Sequence, residues 1–194
     1  IAPEPQTVGG ELRIVNVLSP GTTDLPITLD PLNEYTLYLN GVRLRSRTVN
    51  AGFVTSTYQG GFLDVYADPS WNAPFRFDTQ NPPPFDPLVV PLTFEDGEHL
   101  VRFEVRNLTT IFYPVAGIGS VAYTASELRL VGGSALPVFQ AEHMIVGWHM
   151  GGGFTNQAGT VPDGYGMRYD LLVRWENPLP VGAATWGGIK ATFR

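Results

Sequence analysis

Apolar residues recur at every second position of this chain, segment after segment, and the 3.6-residue period of a helix is hard to find in it. That alternation constrains the fold more than any other feature, because successive side chains of an extended strand point to opposite faces. Leu63, Val65 and Ala67 alternate with Phe62, Asp64, Tyr66 and Asp68. Val101, Phe103 and Val105 alternate with Leu100, Arg102, Glu104 and Arg106. Met167, Tyr169, Leu171, Val173 and Trp175 oppose Arg168, Asp170 and Arg174, and Ile189, Ala191 and Phe193 repeat the pattern at the end. Further strands are expected at Glu11 to Leu18, Phe53 to Gln59, Val121 to Val131 and Val138 to Met150. Tyr35, Leu37 and Leu39, then Asn40-Gly41, then Val42 and Leu44, read as a hairpin around a type I′ turn. About ten strands with one apolar face each predict an all-β fold, a single antiparallel β-sandwich of two packed sheets.

Breakers set the organisation. Asp68-Pro69-Ser70-Trp71-Asn72 opens a long connection that runs to Asp86-Pro87, and its Pro82-Pro83-Pro84 run is confined to extended backbone. A Pro-rich loop of that length is expected to be functional or to pack as a cover. Gly132-Gly133-Ser134 reads as a crossover between sheets. Pro3, Pro5 and Gly9-Gly10 make residues 1–10 a flexible N-terminal arm, leaving 11–194 as one β-sandwich domain.

Only 15% of the residues are charged, while Gly and Pro number 22 and 17, which suits short strands joined by tight turns rather than solvated helices. A net charge of −6 argues against a grip on nucleic acid, which needs clustered cations. Without cysteine there is neither a disulfide framework nor a thiolate metal site. No apolar run is long enough for a membrane-spanning helix, so no membrane insertion is expected. The first residue is Ile1, with no basic-then-apolar leader, and the expectation is that a targeting segment has been removed.

Gly60-Gly61-Phe62-Leu63-Asp64-Val65-Tyr66-Ala67-Asp68-Pro69-Ser70-Trp71-Asn72-Ala73, followed by Thr93-Phe94-Glu95-Asp96-Gly97-Glu98, is similar to a pattern in exported bacterial β-proteins. Many of those carry a C-terminal Pro-Glu-Pro sorting signal for surface or matrix display; that signal does not occur in these 194 residues. The resemblance runs from Tyr35 to about Leu130. It implies an exported, non-catalytic sandwich that is extracellular, periplasmic or displayed at the cell surface, and it carries no catalytic residues over.

The chemistry-bearing residues point the same way. There is no Gly-x-Ser-x-Gly elbow, and the three histidines are His99, His143 and His149. His143 and His149, read on one strand, would stand roughly 20 Å apart, too far to share a metal. Asp64, Asp68 and Asp96, with Glu95, are the candidate ligands for a calcium ion, which takes loop carboxylates and carbonyls; turn-forming aspartates are the plainer reading. Trp71, Phe75, Phe77 and Phe85 in the Pro-rich loop, and Trp186 near the end, are candidate interaction residues for a protein partner or a glycan. Trp148 and Trp175 are expected to face the core. Arg43, Arg45 and Arg47 form a cationic stripe on one strand face, read as a solvated or edge-protecting surface. No enzyme is expected. The predicted function is a structural or interaction protein that self-associates or binds a protein partner. The alternatives are a carbohydrate-binding module or an accessory subunit on the outer face of a membrane complex.

Overall fold

The computed structural model describes residues 7–18, 24–73, 92–115, 119–155 and 168–176. In these residues strands dominate: β1 (Glu11–Val17), β2 (Glu34–Asn50), β3 (Phe53–Gln59), β4 (Phe62–Asp68), β5 (Glu98–Val115), β6 (Gly119–Gly132), β7 (Trp148–Thr155) and β8 (Arg168–Trp175). Two short helices interrupt them, α1 (Leu92–Glu95) and α2 (Leu136–Ala141). None of the described helices is long and apolar enough to cross a membrane.

The all-β class holds, but the layering differs from the two-sheet, ten-strand sandwich expected from periodicity. The eight described strands form one antiparallel sheet in the order β1-β2-β3-β5-β6-β7-β8, with β4 paired to β2 and β5. β3 and β4 run in the same direction, end to end, between the two long strands: β2 pairs with β4 through its first half and with β3 through its second, and β5 does the same. The result is an up-and-down meander. Its apolar face supplies one core from every strand, including Leu12, Ile14, Leu37, Leu63, Phe103, Leu128, Trp148 and Val173, so the sheet curls around that core as a small barrel. Alternation identifies a buried face, and a curled single sheet satisfies it as well as two flat ones do.

The hairpin falls in a different place. β2 continues through Asn40-Gly41 for 17 residues, and the chain reverses instead at Ala51-Gly52, whose φ values of 48° and 85° are those of a type I′ turn. Gly41 (φ 69°) lies at a break in the β1–β2 register, against Gly61 at the joint between β3 and β4. A Cβ on Gly61 would collide with the Asn40 carbonyl oxygen and the Val42 side chain. Both long ribbons bend there, and only glycine allows the backbones so close.

The expected strand from Val138 to Met150 is also replaced. α2, with Pro137 in its first turn, occupies its beginning; β7 starts at Trp148. Phe139 projects from α2 into the core, with no exposed surface, and its ring lies 5.6 Å from Trp148 and 6.5 Å from Phe103. Each such aromatic contributes roughly 1.5–3 kcal/mol by leaving water. Trp148 is 1% exposed and donates its Nε1–H to the Met144 carbonyl (2.6 Å), so its one polar group is satisfied. Trp175 packs partly against the same core and donates to the Val146 carbonyl.

The N-terminal arm is engaged from Gly9 onward: Gly9 N donates to Leu44 O, and Leu44 N to Gly10 O, both at 2.8 Å. Residues 1–6 lie outside the described residues.

Candidate functional site

On β4, Leu63, Val65 and Ala67 enter the core, which turns Phe62, Asp64 and Tyr66 to the other face of the sheet. Tyr38, Asp64 and Arg102 form one cross-strand row over β2, β4 and β5. Asp64 has no exposed surface. A carboxylate in that position needs its charge answered and its lone pairs filled. Arg102 does both, donating from Nε to Oδ1 (2.7 Å) and from Nη2 to Oδ2 (3.0 Å), the planar fork that suits a carboxylate. His99 Nε2 makes a third hydrogen bond to Oδ1 at 2.8 Å.

Strict alternation from Val101 would send His99 into the core. A register shift opposite Val65/Tyr66 takes Leu100 out of the pairing and sets His99 beside Tyr66 instead. The two rings stack at 4.9 Å with 27° between their planes, and the Arg102 guanidinium lies 4.9 Å from the Phe62 ring centroid. The bond to Asp64 raises the Arg102 pKa above its ordinary value. Burial, and secondarily the Asp64 charge, push the Tyr66 phenol up to about 12. Burial raises the Tyr38 phenol and the Glu95 carboxyl as well, the latter with help from Asp64. Chemically, this arrangement fixes an imidazole and a guanidinium at a partly exposed surface by anchoring both to one internal charge. Beside it, Phe94 of α1 packs with Tyr38 and Ala73, and the Thr36 hydroxyl donates to the Phe94 carbonyl (3.0 Å).

The three aspartates expected to share a calcium ion are therefore divided. Asp64 is committed to Arg102 and His99. Asp68 lies instead at the far end of β4, where it pairs across the sheet with Glu34 and the Gly97 turn that follows Asp96 packs against it. Asp68 Oδ1 accepts from Ser70 N (2.8 Å), Glu34 Oε2 from Ala73 N (2.8 Å) and Asp96 Oδ2 from the Asn72 amide (2.7 Å). No group of three or more His, Cys, Asp or Glu among the described residues is arranged to hold a metal ion.

A second concave surface was not anticipated. A groove of about 520 Å³ opens over β5 to β8, lined among others by Asn107, Glu127, His149, Gly151, Arg174 and Glu176. Glu127, His149 and Arg174 are register neighbours on β6, β7 and β8, and His149 Nε2 lies 3.8 Å from Glu176 Oε2. Gly151, Gly152 and Gly153 leave β7 without side chains next to that row. The three glycines were the visible signal, since glycine inside a strand marks a place where something approaches the backbone.

The remaining candidates scatter. His143 closes α2 with φ 56° rather than sharing a strand with His149. Trp71 (φ 52°) is 42% exposed and donates its Nε1–H to the Leu32 carbonyl at 2.7 Å. Phe75, Phe77, Phe85 and Trp186, with the Pro-rich run and the expected strand at Ile189, lie outside the described residues. The arginine stripe is broken: a bulge between Leu44 and Ser46 takes Arg45 out of alternation, and Arg47 comes to pair with the buried Ser56. Comparison with known proteins finds no family model, curated protein or solved structure that matches the chain.

Proposed function

We propose that this chain is a non-catalytic, exported β-protein that self-associates or binds a protein partner, building or decorating a surface, matrix or larger assembly. The observation that carries this reading is the strand order, which ends at β1 and β8 with no pairing between them among the described residues. An edge strand presents a row of amides and carbonyls to which another chain can add a strand. On β8 the direction of that row is readable. Glu176 N donates toward β7, to Gly147 O, whereas Trp175 N points the other way, to the Asp24 carboxylate at 3.2 Å. By alternation the amides of Val173 and Leu171 share the outward direction of Trp175.

Residue-resolved amide exchange, run alongside sedimentation over a concentration series, tests the reading. Association should slow exchange at Leu171 and Val173, while Leu172 and Arg174 are slow throughout. Outward amides already slow in the monomer, or a particle whose mass never rises, would sink it. A carbohydrate-binding module is the second reading, favoured by the groove, whose amide, carboxylate, imidazole and guanidinium groups suit sugar hydroxyls. In the same experiment that reading requires a monomer in which oligosaccharide slows exchange around Glu127, His149 and Arg174.

A further inference from the structure

The backbone of β8 fixes which of its residues a new strand would meet. Asp170, Leu172 and Arg174 turn their amides and carbonyls toward β7, as Glu176 does in its bond to Gly147 O, so Leu171 and Val173 turn theirs to the open edge. Trp175 N also points to that edge, but the Asp24 carboxylate already takes it at 3.2 Å. β1, at the other end of the strand order, is protected differently. A register shift interrupts it between Leu12 and Ile14, and the Asn16 side chain takes the amide of Val17 at 2.9 Å. Bulges and local acceptors of this kind discourage strand addition. The middle of β8 has neither among the described residues, since its register with β7 is unbroken.

We propose that β8 pairs with β8 of a second copy, antiparallel, about a two-fold axis at Leu172. This rests on the reading that the chain self-associates through a sheet edge, and it adds which edge, which register and how many copies. In such a pairing the outward groups of Leu171 and Val173 must meet outward groups, so the axis has to pass through a residue rather than between two. An axis at Leu171 sets Arg168 against Arg174, and an axis at Val173 sets Asp170 against Glu176. Like charges directly opposed are unfavourable. An axis at Leu172 sets Asp170 against Arg174 and Arg168 against Glu176, each twice, with Leu171 against Val173 and Leu172 against itself. Every charge on the strand then has an opposite charge across the axis, and each Leu171–Val173 pair exchanges two backbone bonds. Arg174 is exposed and forms no salt bridge among the described residues, so it is free for this pairing. A two-fold contact closes on itself and yields a dimer rather than a filament.

Sedimentation of the full chain over a concentration series should show a particle that stops at two copies. Asp170→Arg sets arginine against Arg174 twice, and Arg174→Asp sets aspartate against Asp170 twice, so each should weaken association at least about tenfold. An equal mixture of the two variants restores both pairs, because a strand with two arginines then faces one with two aspartates. The mixture should dimerise as the natural chain does, a rescue that an intact β8 alone would not give. Leu172→Cys is an independent readout in a chain without cysteine. Leu172 opposes itself at a non-hydrogen-bonded position, where Cα atoms stand about 4.5 Å apart, so mild oxidation should join the two copies by one disulfide. Glu176→Cys, whose two copies would stand roughly 26 Å apart along the strands, should not join them. Should a charge variant fail to fold by circular dichroism, the cross-link decides. Association that grows past two copies, that is indifferent to both charge variants, or that gives no cross-link through Leu172→Cys overturns the β8 pairing and leaves self-association standing. A chain that stays monomeric at every concentration overturns both.

Discussion

A carboxylate with no exposed surface survives only where its charge is answered close by, and Asp64 shows how this sheet does it. One aspartate takes three hydrogen bonds from two side chains of the neighbouring strand, and those side chains then hold an aromatic ring each. Tyr66 reports on that environment. Its phenol is pushed up to about 12 in the folded chain, from an ordinary value of about 10, chiefly because burial disfavours the phenolate and secondarily because Asp64 repels it. The unfolded chain therefore sheds this proton first as pH rises. The contribution to stability is whole below about pH 10, declines as the pH climbs toward about 12, and is gone above it. Urea midpoints measured from pH 9 upward should fall more steeply for the natural chain than for Tyr66→Phe across that window. Parallel curves would show that the phenol titrates as it does in water. The partners of Asp64 were half legible: alternation puts Arg102 on its face, but the shift that frees Leu100 from pairing and delivers His99 leaves no mark in the residue pattern.

At the scale of elements, the turn chemistry had two solutions and the sequence preference named only one. Asn40-Gly41 is the stronger hairpin signal, yet β2 runs through it, and Ala51-Gly52 makes the turn. Both sites need positive φ; what separates them is whether another backbone must pass close by. Gly41 and Gly61 face each other where the long ribbons bend, a constraint set by residues twenty apart that local pattern does not carry. The two glycine types should respond differently to a methyl group. Gly52→Ala meets nothing within 4 Å and should cost only the left-handed penalty, about 1 kcal/mol. Gly61→Ala adds a collision with the Asn40 carbonyl to the same penalty and should cost roughly 3 kcal/mol or more in chemical denaturation. Equal losses at the two positions would mean that the bend relaxes and is not a fixed corner. α2 was missed for a related reason: four apolar positions at Leu136, Val138, Phe139 and Met144 are too short a run for periodicity to tell helix from strand, and the decision came from where Phe139 could be buried.

For the whole molecule, the buried face of nearly every described strand was readable, whereas the number of sheets was not. Alternation says that one side of each strand is apolar; which strand lies beside which is settled by long-range pairing, here by β3 and β4 acting as one interrupted strand between β2 and β5. The consequence is energetic as well as topological. Two packed sheets could lose one layer and keep part of a core, but a single core shared by all eight strands and filled by α2 has no independent half. Phe139 is the keystone of that argument, because it is fully buried, contacts Phe103 of β5 and Trp148 of β7, and is carried by an element outside the sheet. Phe139→Ala should cost about 3–5 kcal/mol, the range for removing a buried phenylalanine. The loss should appear as one transition displaced to lower denaturant, with tryptophan fluorescence and far-ultraviolet circular dichroism moving together. If α2 were only a surface connection, the same substitution would cost under about 1 kcal/mol. If the strands formed separable layers, fluorescence from Trp148 would change before the sheet signal did, and the two traces would part.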